Sequence, residues 1–136
     1  MLNPNAQLWV DALRSGEYQQ GQQVLCSIGS SGQERFCCLG VACEVMKKHG
    51  GDIRIERTAD WEENWEEKSY DGNHIYAPDS LMNWLKLKNS AGNYVRDGGA
   101  KSSLAFDNDN YKLTFPEIAN VIEQYADQLF HKEEEV

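Results

Sequence analysis

The segment from residue 38 to residue 49 restricts the fold of this chain more than any other part of the sequence. If the segment is helical, its apolar residues at positions 38, 41, 42, 45 and 46 share one stripe, which is typical of a helix packed against a core. Basic residues at 47–49 favour the helix dipole in the last turn, and Gly50-Gly51 can end the helix. Because 136 residues leave room for one core, we predict a single domain built around this helix.

Strand patterns stand on both sides of this helix. Residues 24–28 and 35–37 are predicted to form an antiparallel hairpin, because the sequence Gly-Ser-Ser-Gly at 29–32 favours a tight turn between them. Polar and apolar residues alternate over 52–57, which predicts a strand with one exposed and one buried face. Residues 73–77 are the predicted partner of that strand.

Signals for helix ends predict a helix at each end of the chain. Asn3 suits an N-cap, Pro4 suits the first helical position, and Gly16 can end this first helix. Near the other end, Thr114 and Glu117 have the spacing of a capping box, with Pro116 between them. We predict that the helix that begins there continues to residue 129.

The remaining elements complete a mixed fold. A short helix is predicted over 80–87, and residues 89–103 are predicted to form a mobile loop because they are rich in Gly, Ser and Asn. The fold class is therefore α+β, with about four helices packed on a short antiparallel sheet or hairpins. We expect one globular domain over 1–130, followed by a frayed acidic tail over 131–136.

Charge limits the partners of this protein. Thirteen basic residues stand against 22 acidic ones, for a formal net charge of −9, and the basic residues are scattered. Direct binding to nucleic acid or to an anionic membrane is therefore disfavoured, since both need clustered Lys and Arg. The start of the chain lacks the features of a signal peptide, and no apolar run is long enough to span a membrane. We therefore expect the protein to act in the cytoplasm.

The acidic segment 60–67 is a candidate protein-binding face. It combines two tryptophans with four glutamates, which can contact a cationic partner through cation–π and carboxylate interactions. Two core anchors on a solvated acidic turn explain the same pattern equally well. The candidate residues are Trp61, Glu62, Glu63, Trp65, Glu66 and Glu67.

Four cysteines raise the question of metal binding or thiol chemistry. Cys26, Cys37, Cys38 and Cys43 do not have the paired spacing of a zinc knuckle. Buried free thiols are the favoured interpretation, and neither a metal nor a cofactor is predicted. Cys37 and Cys38 lie at the N-terminus of a predicted helix, where a thiol can be activated, so a small cysteine-dependent enzyme remains an alternative.

The sequence at 107–110, Asp-Asn-Asp-Asn, looks like the start of a calcium loop but fails as one. An EF-hand needs Gly at the sixth position and Glu at the twelfth, and here those positions are Lys112 and Ile118. The segment is therefore predicted to be an Asx-rich turn that leads into the last helix, or alternatively a polar recognition loop.

Four segments together resemble a set of small uncharacterised proteins of bacteriophage and prophage genomes. They are residues 9–20, which include Trp9, Ala12-Leu13-Arg14-Ser15-Gly16; residues 36–43, Phe36-Cys37-Cys38-Leu39-Gly40-Val41-Ala42-Cys43; residues 78–87; and residues 104–109, which lead on to 115–123. The resemblance spans nearly the whole chain. It implies a genomic setting rather than a mechanism, and small acidic phage proteins of this kind often act by stoichiometric binding.

The leading hypothesis is therefore a non-catalytic, phage-type accessory binding protein with no catalytic residue. It would occupy a host protein or sequester a small ligand, with a nucleotide defence signal as one candidate. A ligand pocket would use a guanidinium for phosphate, an aromatic ring for a base and nearby polar groups: Arg14, Tyr18, Gln20, Asn108 and Asp109. An acidic protein-binding inhibitor or nucleic-acid mimic is the first alternative, and the oligomeric state, including a homo-oligomer, is left open.

Overall fold

A computed structural model describes residues 2–60 and 65–132 of the chain. Within these residues the structure has two antiparallel sheets and six helices, so the fold is mixed α+β as predicted. The helices are α1 (Pro4–Ser15), α2 (Cys38–Lys48), α3 (Asp79–Leu85), α4 (Leu104–Asp109), α5 (Phe115–Gln124) and α6 (Ala126–Leu129). The strands are β1 (Cys26–Ile28), β2 (Glu34–Phe36), β3 (Ile55–Asp60), β4 (Trp65–Tyr70), β5 (Asn93–Val95) and β6 (Lys101–Ser103).

The larger sheet has the strand order β2-β1-β4-β3, and every neighbouring pair is antiparallel. Cys26 on β1 lies opposite Phe36 on one side and opposite Lys68 on the other. The smaller sheet is the hairpin of β5 and β6, in which Tyr94 lies opposite Ser102. The predicted hairpin of β1 and β2 is therefore confirmed, and it forms one half of the larger sheet.

Helix α2 is the centre of the core. It packs against α1, α3, α4 and β2. All five positions of the predicted apolar stripe are buried, and Leu39, Gly40 and Cys43 are buried as well. The helix is therefore enclosed on more sides than one stripe requires, because elements pack on it from several directions. Among the described residues, no helix is long and apolar enough to cross a membrane.

The first turn of α2 lies directly against the backbone of the residue before β1. A Cβ atom added to Gly40 would lie 1.8 Å from the carbonyl oxygen of Leu25. The same oxygen accepts a hydrogen bond of 3.3 Å from the backbone N–H of Cys37. Glycine is needed at position 40 because only a residue without a side chain allows helix and strand to approach this closely.

The predicted helix ends are confirmed where they depend on local chemistry. The Asn3 side chain accepts a hydrogen bond from the N–H of Ala6 at the start of α1, and Gly16 ends that helix with φ 79°. Thr114 and Glu117 form both hydrogen bonds of the capping box at the start of α5. These signals are reliable because each involves residues only a few positions apart.

The predicted partner of β3 is wrong. The structure pairs β3 with β4, whereas in the 73–77 segment only Asn73 forms a bridge, with Tyr70. The acidic residues of β4 fit a sheet because they find partners there: Glu66 lies 2.6 Å from Arg57 on the neighbouring strand. A short connection also favours pairing between consecutive strands over pairing with a later segment.

Two further predictions need correction. Residues 89–103 are not one loop, because they contain β5, β6 and a turn in which Gly98 and Gly99 have φ of 97° and 96°. The last helix is not continuous to residue 129, because Tyr125 leaves helical geometry with φ −110° and ψ 24° and separates α5 from α6. The two corrected segments are in contact in the fold, since the rings of Tyr94 and Tyr125 pack with centroids 4.7 Å apart.

The close approach of α2 to Leu25 leads to a stability prediction. We expect Gly40→Ala to lower the free energy of unfolding by about 3 kcal/mol or more, because the methyl group overlaps a backbone atom that cannot move away freely. Gly32→Ala is the matched control, since its added Cβ meets nothing within 4 Å and only the φ of 85° is unfavourable; we expect a loss of about 1 kcal/mol. Urea denaturation of both variants measures the difference, and equal losses would contradict the packing argument.

Candidate functional site

The β5–β6 hairpin and α4 enclose a surface groove with a volume of about 450 Å³. We call it the hairpin groove, and its lining residues are Asn93, Tyr94, Val95, Lys101, Ser102, Ser103 and Phe106. Alternation along β5 turns Tyr94 inward and leaves Asn93 and Val95 exposed. Residues of both faces of the hairpin therefore line the groove, and the inward-facing Tyr94 and Ser102 also attach the hairpin to α4.

Asp107 on α4 holds this hairpin in place. The side chain is fully buried, and it accepts hydrogen bonds from the Tyr94 hydroxyl, from Arg96 Nη2 at 2.7 Å and from Ser102 Oγ at 2.7 Å. The three donors come from β5, from the residue that follows β5, and from β6. A buried carboxylate is stable only with such partners, so the position of each strand is coupled to α4.

The environment of Tyr94 reflects this arrangement. Burial raises the pKa of its hydroxyl well above the ordinary value, and the hydrogen bond to Asp107 raises that pKa further. The hydroxyl therefore stays protonated at neutral pH and keeps its role as a donor to the carboxylate. It has the properties of an anchor rather than those of an acid or a base.

Arg96 connects the buried Asp107 to exposed aromatic residues. Its guanidinium carbon lies 5.5 Å from the ring centroid of Tyr94 and 5.5 Å from that of Tyr111. Tyr111 in turn contacts Phe106 edge-on, with centroids 5.0 Å apart. Cation–π and edge-to-face contacts of this kind fix the orientation of exposed rings, so the aromatic side chains beside the groove are held in place.

The result is a cluster of exposed apolar side chains. Five large hydrophobic residues are exposed within the part of the chain that the structure describes. Two of them, Val95 (41%) and Phe106 (44%), line the hairpin groove, and a third, Tyr111 (58%), packs against Phe106 beside it. We call these three residues the apolar patch. Lys101 is the charged residue among those that line the groove, so a basic group borders an apolar surface on a strongly acidic protein.

The structure brings together three of the five predicted ligand-binding residues. Gln20 Nε2 donates to Asn108 Oδ1 at 2.8 Å, and Asp109 Oδ1 accepts from the backbone N–H of Gln23 at 2.8 Å. Asn108 is fully buried and also donates to the carbonyl of Gly21 at 2.8 Å. These polar groups form hydrogen bonds with one another and with the backbone, and these bonds connect the segment after α1 to α4.

Arg14 and Tyr18 have other neighbours. Arg14 Nη2 lies 2.5 Å from Glu123 Oε1 and donates to Asn120 Oδ1 at 2.7 Å, so it links α1 to α5. The ring of Tyr18 packs edge-on against Phe36, with centroids 5.5 Å apart. These contacts do not join Arg14 or Tyr18 to the cluster around Asn108. A shared pocket for all five predicted residues is not visible in the described part of the chain.

The predicted segment 107–110 is not an Asx turn. Asp107, Asn108 and Asp109 belong to α4, and the Ser103 side chain caps this short helix by accepting from the N–H of Phe106. The polar residues that suggested a turn are used instead inside the protein, since Asp107 and Asn108 are both buried.

The acidic segment is described only in part. Glu66 and Glu67 lie in β4, and Glu66 is paired with Arg57. Trp65 begins β4, but its side chain lies outside the described part, as do residues Trp61, Glu62 and Glu63. The described end of this segment is therefore part of a strand rather than a turn, and the protein-binding face stays a prediction.

All four cysteines are free and buried. Burial raises the pKa of the Cys37 thiol to about 12, and it raises the pKa of the Cys26 thiol to about 12 as well. Burial also raises the pKa of Cys38 well above its ordinary value, although Cys38 is the first residue of α2. Among the described residues there is no group of three or more His, Cys, Asp or Glu that could hold a metal ion.

Sequence reasoning missed the residues of the hairpin groove. The alternation of Tyr94, Val95 and Arg96 before the pair Gly98-Gly99 was an available signal for a strand that enters a turn. The small residues around it concealed the signal, because they are equally typical of a loop. The role of Asp107 had no local signal at all, since its three donors lie 5, 11 and 13 positions away along the chain.

The chain belongs to a family defined by a domain of unknown function, DUF8296, whose model matches residues 2–126. This match includes the β5–β6 hairpin, α4 and the core around α2. No curated protein and no solved structure shows significant similarity to the chain. The hairpin groove therefore lies within the family domain.

The burial of the thiols leads to a prediction about their reactivity. We expect all four cysteines to react with a chromogenic disulfide reagent at pH 8 at least about 100-fold more slowly in the folded protein than in urea, because burial suppresses the thiolate. The absorbance of the released thiolate measures both rates. One fast-reacting cysteine in the folded protein would contradict this expectation and would favour the cysteine-dependent enzyme.

A second prediction concerns the anchor of the hairpin. We expect Asp107→Ala to lower the free energy of unfolding by about 3 kcal/mol, because three donors lose their acceptor and one of them, the Tyr94 hydroxyl, is buried. Asp97→Ala is the control on the same hairpin: Asp97 is exposed and accepts one long bond of 3.2 Å from Gln124, so we expect a loss under about 0.5 kcal/mol. Urea denaturation compares the two, and equal small losses would show that Asp107 does not anchor the hairpin.

Proposed function

We propose that this member of the DUF8296 family is a non-catalytic binding protein that acts stoichiometrically through the hairpin groove and the apolar patch. One observation carries the proposal: of the five exposed large hydrophobic side chains of the described residues, Val95 and Phe106 line one groove and Tyr111 packs against Phe106 beside it. Scattered exposed hydrophobic residues need no explanation, whereas a contiguous group beside a concave surface is typical of an interaction site.

The support beneath the patch strengthens this proposal. Asp107, Arg96 and the tyrosine rings fix the hairpin before any partner binds. A surface that is already ordered loses little conformational entropy on association, so more of its contact energy remains as affinity. A groove held by three hydrogen bonds to a buried carboxylate is therefore better suited to binding than a mobile loop.

A host protein is the partner that we propose first. Tyr111 belongs to the apolar patch but lies outside the groove lining, so the apolar surface extends beyond what a small ligand would cover. The net charge of −9 disfavours direct contact with nucleic acid or with an anionic membrane. The resemblance to bacteriophage and prophage proteins supports an accessory role against a host factor in the host cytoplasm.

A small nucleotide-like ligand is the second candidate, and the size of the groove favours it. A volume of about 450 Å³ falls in the range of ordinary ligand pockets, which is about 300–1,000 Å³. The exposed ring of Phe106 offers a stacking surface, and Lys101 offers a charge for a phosphate. In this case the protein would sequester a nucleotide defence signal through the hairpin groove rather than through Arg14 and Tyr18.

The other two alternatives have less support. An acidic inhibitor or nucleic-acid mimic would need free carboxylates, but Glu66 is paired with Arg57 within the sheet. A cysteine-dependent enzyme would need an accessible thiolate, but burial keeps the thiols of Cys37 and Cys38 protonated.

Photo-crosslinking in the cells that produce the protein tests the proposal. Phe106 is replaced by benzoylphenylalanine, which keeps an aromatic ring at the groove. The matched control places the same group at Tyr76, which is 50% exposed and lies in the 71–77 segment, away from the groove. We expect irradiation to give one discrete adduct at position 106 that is absent at position 76, because only the first position contacts the partner.

The mass of the adduct distinguishes the two candidate partners. A gain of several kilodaltons identifies a protein, whereas a gain of a few hundred daltons identifies a small ligand. Identical adducts at positions 76 and 106 would mean non-specific contact, and the lack of any adduct at 106 would remove the support for binding at the groove.

A further inference from the structure

The free edge of β6 is the feature that leads to a further inference. Leu104 N–H donates to Gly92 O at 2.9 Å, and Arg96 N–H donates to Ala100 O at 2.7 Å. In an antiparallel pair these bonds alternate along a strand, so the backbone groups of Ser102 point toward β5. The backbone groups of Lys101 and Ser103 therefore point away from the hairpin.

The opposite edge of the hairpin is closed by side chains. The Gln128 side-chain amide accepts from the N–H of Val95 at 2.7 Å and donates to the carbonyl of Val95 at 2.9 Å, as a neighbouring strand would. Asn89 Oδ1 accepts from the N–H of Asn93 at 2.8 Å. The backbone groups at these positions of β5 are thus already hydrogen-bonded and are not open to another strand.

The edge of β6 has no such cover among the described residues. Ser103 is the N-cap of α4, where the chain leaves the strand and its carbonyl follows the helix, so the edge groups open to another strand are the N–H and carbonyl of Lys101 and the N–H of Ser103. Within the part of the chain that the structure describes, these three groups have no hydrogen-bond partner. Exposed edge groups of this kind are templates for pairing with another chain, and here they border the hairpin groove.

We infer that an extended acidic segment of the partner protein adds to β6 as a third strand of this hairpin. The inference rests on the proposed binding function and states how the partner is held. Main-chain hydrogen bonds would supply affinity, and alternate side chains of the segment would enter the hairpin groove beside Phe106 and supply specificity.

Charge identifies the occupant as another protein. Lys101, which borders the free edge, is the charged residue of the groove lining, so acidic side chains on the added strand are complementary to it. A second copy of this chain is less suited to the edge, because two molecules with a formal charge of −9 each repel one another. The partner segment therefore combines apolar side chains that face the groove with acidic side chains beside Lys101.

A tethered peptide tests the strand addition directly. The protein carries Ala100→Cys, an exposed position next to β6, and the probe is a peptide of one cysteine, two glycines and then alternating valine and glutamate. A disulfide tether gives an effective concentration in the millimolar range, while the native cysteines are buried. We expect the amide protons of Lys101 and Ser103 to exchange with solvent at least about tenfold more slowly, because the probe accepts hydrogen bonds from them.

Two controls separate main-chain pairing from charge. A probe with lysine in place of glutamate keeps the backbone but opposes Lys101, so we expect clearly weaker protection. Lys101→Pro removes an edge N–H that is not used within the hairpin, whereas Lys101→Ala removes the charge and keeps that N–H. We expect the proline variant to lose protection at Ser103 with the acidic probe and the alanine variant to retain part of it; circular dichroism checks that both variants fold.

Unchanged exchange at Lys101 and Ser103 with the acidic probe would overturn the inference. If position 106 still crosslinks to a protein in that case, the binding function stands and only the strand addition is wrong. If the probe slows exchange at Lys101 and Ser103 but position 106 gives no crosslink, the result would support strand addition at β6 and contradict the proposed function. Protection that grows with protein concentration in the absence of a probe would overturn the assignment to another protein, since a second copy would then occupy the edge.

Discussion

A buried side-chain amide, that of Asn108, is the contact on which the rest of the arrangement depends. Its oxygen accepts from the N–H of Cys38 at the start of α2 and from Gln20, and its nitrogen donates to the carbonyl of Gly21. An amide without partners in a core would cost about 1–3 kcal/mol, so these bonds hold α4, α2 and the segment after α1 in one geometry. The carbonyl of Cys38 accepts from the indole of Trp9 on α1, which joins the first helix to the same point.

The placement of α4 explains how the groove is built. A helix of six residues is not stable alone, and contacts from both sides keep it folded. Asn108 faces the core, while its neighbour Asp107 binds the hairpin. The short helix α4 thus fixes the position of the β5–β6 hairpin relative to the core. The rings that contact Arg96 are held in place with the hairpin. Part of the stability of the buried network therefore holds the proposed binding surface in shape.

Prediction from sequence succeeded where the cause was local and failed where it was not. The caps at Asn3 and Thr114, and the hairpin around residues 29–32, depend on residues a few positions apart, and all three are confirmed. The partner of β3 and the β5–β6 hairpin were missed because pairing depends on which segments meet in the folded chain. For the site, Asn108 and Asp109 were selected as ligand groups on residue type, but the structure shows them binding the protein itself.

The sequence by itself determined the α+β class, the central helix α2 with its preceding hairpin, both ends of α1 and the start of α5, because periodicity and capping act over one or two turns. Only the tertiary structure decided that the polar run at 107–109 lies inside a helix, and that Asp107 anchors residues up to 13 positions away. Only the fold could also show that β5 has a capped edge while β6 has an open one. The physical reason is that burial and strand edges are properties of the assembled chain, since each depends on contacts between segments whose separation along the sequence does not predict their distance in space.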